Sequence, residues 1–383
     1  MKRIALSVVT LLSLANTIPA LSSKKNLIID TDLFSDVDDA GALLLAATLP
    51  EVNLLAVNIN YPSSYSALAA SAILAHYGKQ HVPIGIPRPL TNATFFDGWY
   101  FELGEYTSKV AYQFSGGSLP WGHAEEAWDP VALYRKTLAE AEDGSVTIVS
   151  IGFLDSLSLL LDSPPDTYSH LPGRALLALK LTELVVMGGG YPSGHSWNFF
   201  GSDPRHAAHV INTWDGPGRV VSLGDDVGKY VLTGGPLMAA RGGGCGCGCG
   251  PEGGGPPDPV AEAYMWYGYG TPRPSWDVLA VWYAVYGLGG LLRVGNEGGW
   301  NVVDGEDGSN RWVGEGEKVG DEGGRKNGTQ FYLRLAVGNE TAAEVVDDLF
   351  LKGALSVGEE GEERGNGEFR GGKWCRECEH EEL

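Results

Sequence analysis

An α/β fold, with a mainly parallel open sheet flanked by helices, is predicted for this chain of 383 residues. Between residues 26 and 285, short apolar runs alternate with helical patterns, which is typical of successive strand–helix–strand units. The apolar runs end at polar or glycine-containing segments. Because ligands bind at the carboxyl ends of parallel strands, functional residues are expected in those segments.

Each predicted strand is a short run rich in Leu, Ile and Val, and each predicted helix begins at Asp, Ser or Pro, which favour helix N-termini. The strands are Leu27–Asp30, Leu54–Ile59, Val146–Ile151, Leu184–Met187 and Val220–Leu223. The helices are Asp38–Thr48, Ser64–Tyr77, Pro130–Glu142, Asp155–Leu161, Pro204–Thr213 and Asp277–Tyr286. A final ordered piece is expected at Gln330–Val337 and Thr341–Ala354, and no internal repeat is visible.

Two stretches interrupt this alternation. Residues 241–259 are too rich in Gly and Pro to pack, and residues 289–325 are dominated by glycines and acids, so both are predicted to be insertions. The tail, residues 358–383, is mostly Gly, Glu and Arg and is predicted to be disordered. One large domain over residues 23–357 is therefore expected.

The first 22 residues have the three parts of a secretory signal: Lys2 and Arg3, then an apolar stretch, then small residues. That stretch is short for a membrane span, and no later run is long and apolar enough to be one. Acceptor sequons for N-glycosylation at Asn92, Asn327 and Asn339 agree with export. The sequence therefore predicts a secreted, extracellular glycoprotein that is not membrane-bound after signal cleavage.

The formal net charge of −21 repels nucleic-acid phosphates and anionic lipid, so neither is an expected partner. All five cysteines lie after residue 244, in a Gly-rich run and in the tail, which is a poor disulfide framework for a core. Cys375, Cys378 and His380 could bind zinc, but a disulfide or an unstructured tail is the preferred interpretation. The oligomeric state stays open, with a homo-oligomer as one option.

The strongest local signal is the segment LIIDTDLFSDVDDAGALLLAA, residues 27–47. It is an apolar strand that ends in Asp30 and Asp32, a turn that holds Asp36, and a helix that opens with Asp38 and Asp39. Carboxylates this close raise each other's pKa unless a cation is present, and an oxygen-rich cluster suits Ca²⁺ or Mg²⁺ better than Zn²⁺. Two alternatives remain: helix capping alone, and a strand-end DxD phosphohydrolase nucleophile.

The chain resembles the inosine-uridine-preferring nucleoside hydrolases, in a fungal and bacterial subgroup with a longer first loop, from about residue 26 to residue 286. The resemblance implies that Asp32 binds calcium and deprotonates the attacking water. It further implies that Asp39 is a calcium ligand and that Asp38 binds ribose hydroxyls. Because two extra residues separate Asp32 from this pair, Asp36 could share either role.

Two further motifs follow in the order of that family. In VSIGFLDSLSLLL, the resemblance implies that the main-chain carbonyl of Asp155 binds calcium; an ordinary strand–helix connection is the alternative. In the segment that begins VVMGGGYPSGHSWNFFG, it implies that Asn198 binds a ribose 2′ or 3′ hydroxyl and that Met187 lines the sugar pocket. Ser196 departs from the family's usual Glu, and His195 could compensate for the lost carboxylate.

In the fourth motif, PSWDVLAVWYA, the resemblance implies that Asp277 is a calcium ligand. Trp276 stands where the family has the His that protonates the departing base, so it could stack on the base instead. Asn60 matches a family Asn near the water and the ribose, with a structural turn as the equal alternative.

The resemblance implies a calcium-dependent enzyme that hydrolyses the N-glycosidic bond of ribonucleosides and releases base and ribose. Its transition state carries positive charge on the sugar, which carboxylates around the ribose favour. The replacements Ser196 and Trp276 also permit a catalytically impaired protein that binds calcium and a ribosyl group. The sequence does not choose between purine and pyrimidine nucleosides.

Overall fold

A computed structural model describes residues 24–215, 218–242, 257–296, 298–314, 317 and 329–363. The predicted signal, most of the Gly-rich stretch at 241–259, the tail from residue 364, the sequon at Asn327 and all five cysteines lie outside the described residues.

The main sheet has eight strands in the order β10-β13-β7-β5-β4-β1-β2-β3. All neighbouring pairs are parallel except β10 with β13, which confirms the predicted mainly parallel open sheet. Its strands are β1 Lys25–Thr31, β2 Val52–Ile59, β3 Ile84–Gly85, β4 Val146–Ser150, β5 Leu181–Met187, β7 Arg219–Leu223, β10 Leu292–Val294 and β13 Gln330–Leu335. Strands β6 Ser193–His195, β11 Trp300–Val303 and β12 Ser309–Val313 form a second sheet, and β8 Leu232–Thr233 pairs with β9 Arg273–Pro274.

Helices cover both faces of the main sheet. They are α1 Asp38–Thr48, α2 Ser64–His76, α3 Thr107–Gln113, α4 Pro130–Glu140, α5 Asp155–Leu161, α6 Gly173–Lys180, α7 Trp197–Phe200, α8 Pro204–Thr213, α9 Asp225–Gly228, α10 Gly235–Arg241, α11 Pro259–Gly268, α12 Trp276–Tyr286 and α13 Asn339–Glu363. Within the described residues, no helix is both long and apolar enough to cross a membrane.

Strand β1 shows how the sequence produces two buried layers. Leu27 and Ile29 pack into the core that contains the apolar residues of α1, α2, α11 and α12. Ile28 points to the opposite face and packs into the core formed with α4, α5, α6 and α8. Successive side chains of a strand alternate between faces, and a parallel sheet is covered on both, so β1 is apolar from Leu27 to Ile29, before it reaches Asp30.

The predicted positions of α1, α5 and α8 agree with the structure at both ends, and the other predicted strands and helices differ by a few residues at their ends. The stretch at 289–325 is not simply an insertion, because it contains β10, β11 and β12. Helix α13 continues to Glu363, beyond the predicted start of the tail at residue 358.

The second sheet supports the loop that carries the third motif. Strand β12 pairs antiparallel with β6. Asn310 of β12 accepts a hydrogen bond from Gly190 N–H at 2.8 Å and donates one to Gly190 O at 3.0 Å. A side chain on residue 190 would have its Cβ 2.9 Å from Gly194 Cα, so glycine permits this close turn. The stretch at 289–325, through its strand β12, therefore positions residues 193–198.

Candidate active site

The functional residues meet at one edge of the main sheet, where the carboxyl ends of β1, β5 and β7 face a cavity of about 760 Å³. The cavity is lined by residues that follow these strands and by the starts of α1 and α12. Among the predicted site residues, those in its lining are Asp32, Asp38, Asp39, Met187, Asn198, Trp276 and Asp277. The predicted convergence at the ends of parallel strands is therefore present.

Three buried carboxylates form a compact acidic cluster in the cavity wall. Asp38, Asp39 and Asp277 each offer an oxygen, and these oxygens all lie within 4.8 Å of one another. Burial raises the pKa of each of the three well above 3.8. Repulsion from Asp38 raises it further in Asp39 and Asp277, and repulsion from Asp36 does so in Asp38. Asp32 lies near enough to raise the pKa of Asp39 and Asp277. Such a group is stable as ionised carboxylates only with a cation.

The acidic cluster is held by hydrogen bonds from other elements. The Thr31 hydroxyl at the end of β1 donates to Asp39, and the main-chain N–H of Asp277 donates to Asp38 Oδ2 at 3.0 Å. The N-cap of α1 is Val37, and neither Asp38 nor Asp39 caps that helix through its side chain. The capping interpretation of this pair is therefore wrong: Asp38 instead binds the start of α12.

Asp32 lies beside this cluster and reaches a tryptophan that the sequence analysis did not identify. Trp197 Nε1 donates to Asp32 Oδ2 at 3.3 Å. Burial raises the pKa of Asp32 to about 7, while the Trp197 hydrogen bond opposes that rise. Trp197 directly precedes the predicted ligand Asn198, so its position in the motif was a signal, but a contact over 165 residues is not visible locally.

Asp30 is buried behind the cavity and does not line it. Its Oδ1 accepts from Asn60 Nδ2 at 2.6 Å, and its Oδ2 accepts from the Tyr134 hydroxyl at 2.5 Å. Burial raises its pKa to about 7. Asn60 is also outside the cavity lining, and its Oδ1 is buried without a protein partner. Asn60 therefore fixes Asp30, and its contact with the water and the ribose stays a prediction.

Asp36, the remaining carboxylate of the motif, pairs with an arginine that lies 237 residues later in the chain. Arg273 Nε and Nη2 donate to Asp36 at 2.9 and 2.5 Å. Arg273 also packs over the rings of Tyr267 and Trp276, 5.2 and 5.8 Å from their centroids. Asp36 is thus engaged in an ion pair, which argues against its sharing the role of Asp32 or Asp39.

Asp155 opens α5, and its carboxylate is directed away from the acidic cluster. Its Oδ1 accepts from the Ser202 hydroxyl at 2.8 Å and lies 3.9 Å from His206 Nε2. The side chain is absent from the cavity lining. Any contribution of Asp155 to a metal site is therefore limited to its main-chain oxygen, which is the atom that the sequence analysis named.

The third motif closes the cavity over the ends of β4 and β5. Asn198 Nδ2 donates to the carbonyls of Ile151 and Met187 at 3.0 and 3.1 Å, which fixes its amide and leaves its Oδ1 as the free acceptor. Met187 lies in the cavity lining as predicted. Ser196, where the family has Glu, is buried, and it also lines the cavity.

Trp276 cannot act as a proton donor to a departing base. Its indole N–H donates to the main-chain carbonyl of Asp225 at 2.7 Å, and an indole has no second polar hydrogen. Its ring forms part of the cavity wall. The available chemistry at this position is contact with a ring face, as the sequence analysis proposed for the Trp in place of His.

Aromatic side chains form much of the remaining wall, and sequence reasoning identified few of them. The aromatic lining residues are Phe34, Tyr61, Phe95, Phe96, Trp99, Tyr100, Phe153, Trp197, Phe200, Tyr267 and Trp276. The loop that carries several of them is organised by Asp97, which accepts four main-chain N–H bonds, from Trp99, Tyr100, Glu102 and Leu103, at 2.8 to 3.1 Å. Trp99 packs edge-to-face on Trp197, with 6.2 Å between the ring centroids.

The protein has an α/β fold with a cavity at the carboxyl ends of its parallel strands. Aromatic side chains form much of the cavity wall, which also holds a cluster of carboxylates of the kind that binds cations. The chain belongs to the inosine-uridine preferring nucleoside hydrolase family, whose profile matches residues 27–235, more than half of the chain. The matched segment contains the first three motifs, and the fourth, with Asp277, lies beyond it.

Individual relatives are distant. The chain is 26% identical over 217 residues to probable uridine nucleosidase 2 of Arabidopsis thaliana, covering 56% of this chain and 63% of that protein. It is 27% identical over 223 residues to the pyrimidine-specific ribonucleoside hydrolase RihB of Escherichia coli, covering 53% and 60%. These matches span less than two thirds of the length of either relative.

Solved structures show the same fold. A plant nucleoside hydrolase superposes with a TM-score of 0.58 at 17% identity, covering 86% of this chain and 98% of that one. The purine-preferring ribonucleoside hydrolase from Gardnerella vaginalis gives 0.57 at 18% identity, covering 88% and 100%. Coverage of this extent takes the structural similarity beyond residue 235, where the match to the family profile ends.

Proposed function

We propose that this protein is a secreted, calcium-dependent hydrolase that cleaves the N-glycosidic bond of ribonucleosides and releases free base and ribose. The observation that carries the proposal is the position of Asp32, which lies between the acidic cluster and Trp197 in the wall of an aromatic cavity. This reaction needs a general base beside a cation site, and it needs a surface that holds the planar leaving group.

The acidic cluster fits a hard divalent cation. It offers carboxylate oxygens alone, and burial and repulsion hold the pKa values of its members above their usual range, which a bound cation would reverse. We assign Asp39 and Asp277 as ligands, together with Asp32 and the main-chain oxygen of Asp155, and Asp38 lies close enough to share the ion. A bound calcium lowers the pKa of water and orients the ribose diol.

Asp32 is the proposed general base. It lines the cavity beside the acidic cluster, where a bound cation would keep it ionised and able to accept a proton from a water molecule at the sugar. The Trp197 hydrogen bond to Oδ2 fixes the orientation of this carboxylate. Ionised carboxylates around the sugar favour a positively charged ring over the neutral substrate.

The remaining predicted residues are proposed to hold the substrate. Asp38 and the Oδ1 of Asn198 accept hydrogen bonds from ribose hydroxyls, and Met187 packs on the sugar. Trp276 stacks on the base without protonating it, because its N–H is bound to Asp225. Asn60, which Asp30 fixes, contacts the attacking water and the ribose. Recognition through hydroxyls implies that ribonucleosides are preferred over deoxyribonucleosides.

A catalytically impaired protein that binds calcium and a ribosyl group is the second candidate. It is favoured by the engaged indole N–H of Trp276 and by Ser196, since no side chain at these positions supplies the family's acid or carboxylate. A DxD phosphohydrolase is disfavoured, because Asp30 would be its nucleophile. Both oxygens of Asp30 accept hydrogen bonds, and the residue is fully buried.

The test is release of free ribose from inosine, uridine and adenosine by the purified protein, with and without a calcium chelator. The proposal predicts release that the chelator stops and that added calcium restores. Absence of ribose from all three, with calcium still raising the melting temperature, would favour the binding protein. Export is tested separately by sequencing the N-terminus of the protein recovered from culture medium, where cleavage near residue 22 is expected.

A further inference from the structure

Tyr134, on α4, is a buried hydroxyl donor that the roles above do not use. Its side chain is completely buried, and its hydroxyl donates to Asp30 Oδ2 at 2.5 Å. Burial and the nearby charge of Asp30 raise the pKa of Tyr134 well above 10, so it keeps its proton. Asp30 lies near the carboxyl end of β1, two residues before the proposed base Asp32. A donor from a helix outside the cavity lining thus reaches the strand that leads to the base.

The other oxygen of Asp30 determines the orientation of the Asn60 amide. Asn60 Nδ2 donates to Asp30 Oδ1 at 2.6 Å, and a carboxylate only accepts hydrogen bonds, so the NH2 group of Asn60 must face Asp30. The amide oxygen, Asn60 Oδ1, is then directed away from Asp30. That oxygen is buried and has no hydrogen-bond partner among the described residues. Asn60 therefore presents one free acceptor, and Asp30 decides on which side it lies.

Gly152, after β4, shows where this free oxygen lies. A Cβ on residue 152 would stand 2.3 Å from Asn60 Oδ1 and 2.3 Å from the main-chain N of Asp32. The two atoms are therefore close neighbours, and glycine permits this approach. The main-chain N–H of Asn60 also donates to Thr31 O at 2.7 Å, which ties Asn60 to the residue before Asp32. The free acceptor of Asn60 consequently lies beside the main chain of the proposed base.

We propose that Tyr134 is a positioning residue for the hydrolysis: through Asp30 it holds the Asn60 amide with its oxygen, and not its NH2 group, beside Asp32. The inference rests on the proposed function, in which a water molecule at the sugar gives a proton to Asp32. Water has two hydrogens, so an acceptor beside Asp32 takes the second one and turns a lone pair of the water towards the sugar. An NH2 group in the same place would offer a donor and would turn the water away.

Loss of the Tyr134 hydroxyl would release this arrangement. Asp30 would keep one of its two donors, and the terminal torsions of Asp and Asn side chains have broad, shallow preferences. The Asn60 amide could then turn over, which exchanges its oxygen and its NH2 group beside Asp32. Neither Tyr134 nor Asp30 lines the cavity, so the loss should affect the chemical step and not the binding of the nucleoside.

The experiment measures ribose release from inosine by the full-length protein and by Tyr134→Phe, Asn60→Ala and the double variant, with calcium present and below the melting temperature of each. Tyr134→Phe removes one oxygen and is expected to lower kcat about threefold to tenfold, the effect of an ordinary hydrogen bond, with KM unchanged. Asn60→Ala should lower kcat at least as much. The double variant should be no slower than Asn60→Ala, because Tyr134 acts through Asn60.

Tyr77→Phe is the matched control, because Tyr77 is also a buried tyrosine that donates to a buried carboxylate, that of Asp258, at 2.8 Å. In chemical unfolding it should lose stability as Tyr134→Phe does, yet it should keep the wild-type kcat. An unchanged kcat in Tyr134→Phe or in Asn60→Ala, or losses that add up in the double variant, overturns the inference while the proposed function stands. If wild type releases no ribose, the proposed function fails, and the inference fails with it.

Discussion

Arg273 and Asp36 form a two-contact ion pair, with Nη2 and Nε at 2.5 and 2.9 Å from the two carboxylate oxygens, although 237 residues separate them. The pair joins the first acidic loop to the segment that precedes α12. It explains how five carboxylates can stand within ten residues: one is neutralised by a side chain, and the others are left to a metal or to internal hydrogen bonds. Replacing Arg273 tests this explanation.

Arg273→Gln should lower the free energy of unfolding by about 1–3 kcal/mol, because it leaves the half-buried Asp36 carboxylate without its partner. The double variant Asp36→Asn/Arg273→Gln should recover part of that loss. The measurement is chemical unfolding of both single variants and the double variant at fixed calcium concentration. Strictly additive losses would show that the pair contributes nothing beyond its separate residues.

Asp32→Asn should reduce kcat by about 10²–10⁴-fold, the usual contribution of a general base, while the fold persists. Ribose release measures the change, and the rise in melting temperature with calcium should survive in reduced form, because Asp39 and Asp277 remain. Asp215→Asn is the control, since that exposed carboxylate pairs with Arg174 on the surface. Near-normal turnover in Asp32→Asn would remove Asp32 from the mechanism.

Trp276→Ala should cost about 1–3 kcal/mol of transition-state stabilisation, the range measured for stacking of a base on an aromatic ring. Trp276→Phe should cost less, because it keeps a ring in the wall and loses only the hydrogen bond to Asp225. The comparison is made as kcat/KM on inosine and uridine. Equal losses in the two variants would assign the role of Trp276 to its hydrogen bond and not to stacking.

The stability of the metal-free protein should fall as the pH rises between about 4 and 7. Burial raises the pKa of Asp32 from 3.8 to about 7, and it raises those of Asp39 and Asp277 well above 3.8. The folded state therefore binds more protons than the unfolded state in this interval, so the free energy of unfolding decreases with pH. Calcium binds the ionised form, so its stabilising effect should grow over the same interval.

Melting temperatures in chelator and in calcium, taken across that interval, measure this effect. Asp39→Asn should flatten the slope seen in chelator, because it removes one of the titrating groups. A melting temperature in chelator that rises steadily from pH 4 to 7 would show that these carboxylates do not control the stability of the metal-free protein.

Local patterns were sufficient for most strands of the main sheet and for several of its helices. The alternation in β1 and the positions of α1, α5 and α8 follow from apolar periodicity and from residues that favour helix starts, which act over a few neighbours. The stretch at 289–325 was misjudged because β11 and β12 are short and their pairing depends on β6, about a hundred residues earlier. Its glycines and acids therefore look like a linker although they hold an ordered sheet.

The site residues likewise fall into two groups: those that a local motif revealed, and those whose contacts join distant parts of the chain. Asp32, Asp38, Asp39, Met187 and Asn198 were assigned through the resemblance of their motifs to the family, and all five line the cavity.

Trp197 and Arg273 were missed as functional groups because their contacts join distant loops. A tryptophan beside Asn198 and an arginine three residues before Trp276 were the available signals. Each of these patterns is just as common on a solvated surface as in a functional site, so only the folded structure shows its role.

The central claim is that water attacks the anomeric carbon of a ribonucleoside. It is tested most directly by mass spectrometry of the products formed from inosine in heavy-oxygen water with calcium present. The account predicts free ribose that carries the heavy oxygen and hypoxanthine that does not. Unlabelled ribose, or inosine that persists intact beside a calcium-stabilised protein, would contradict it.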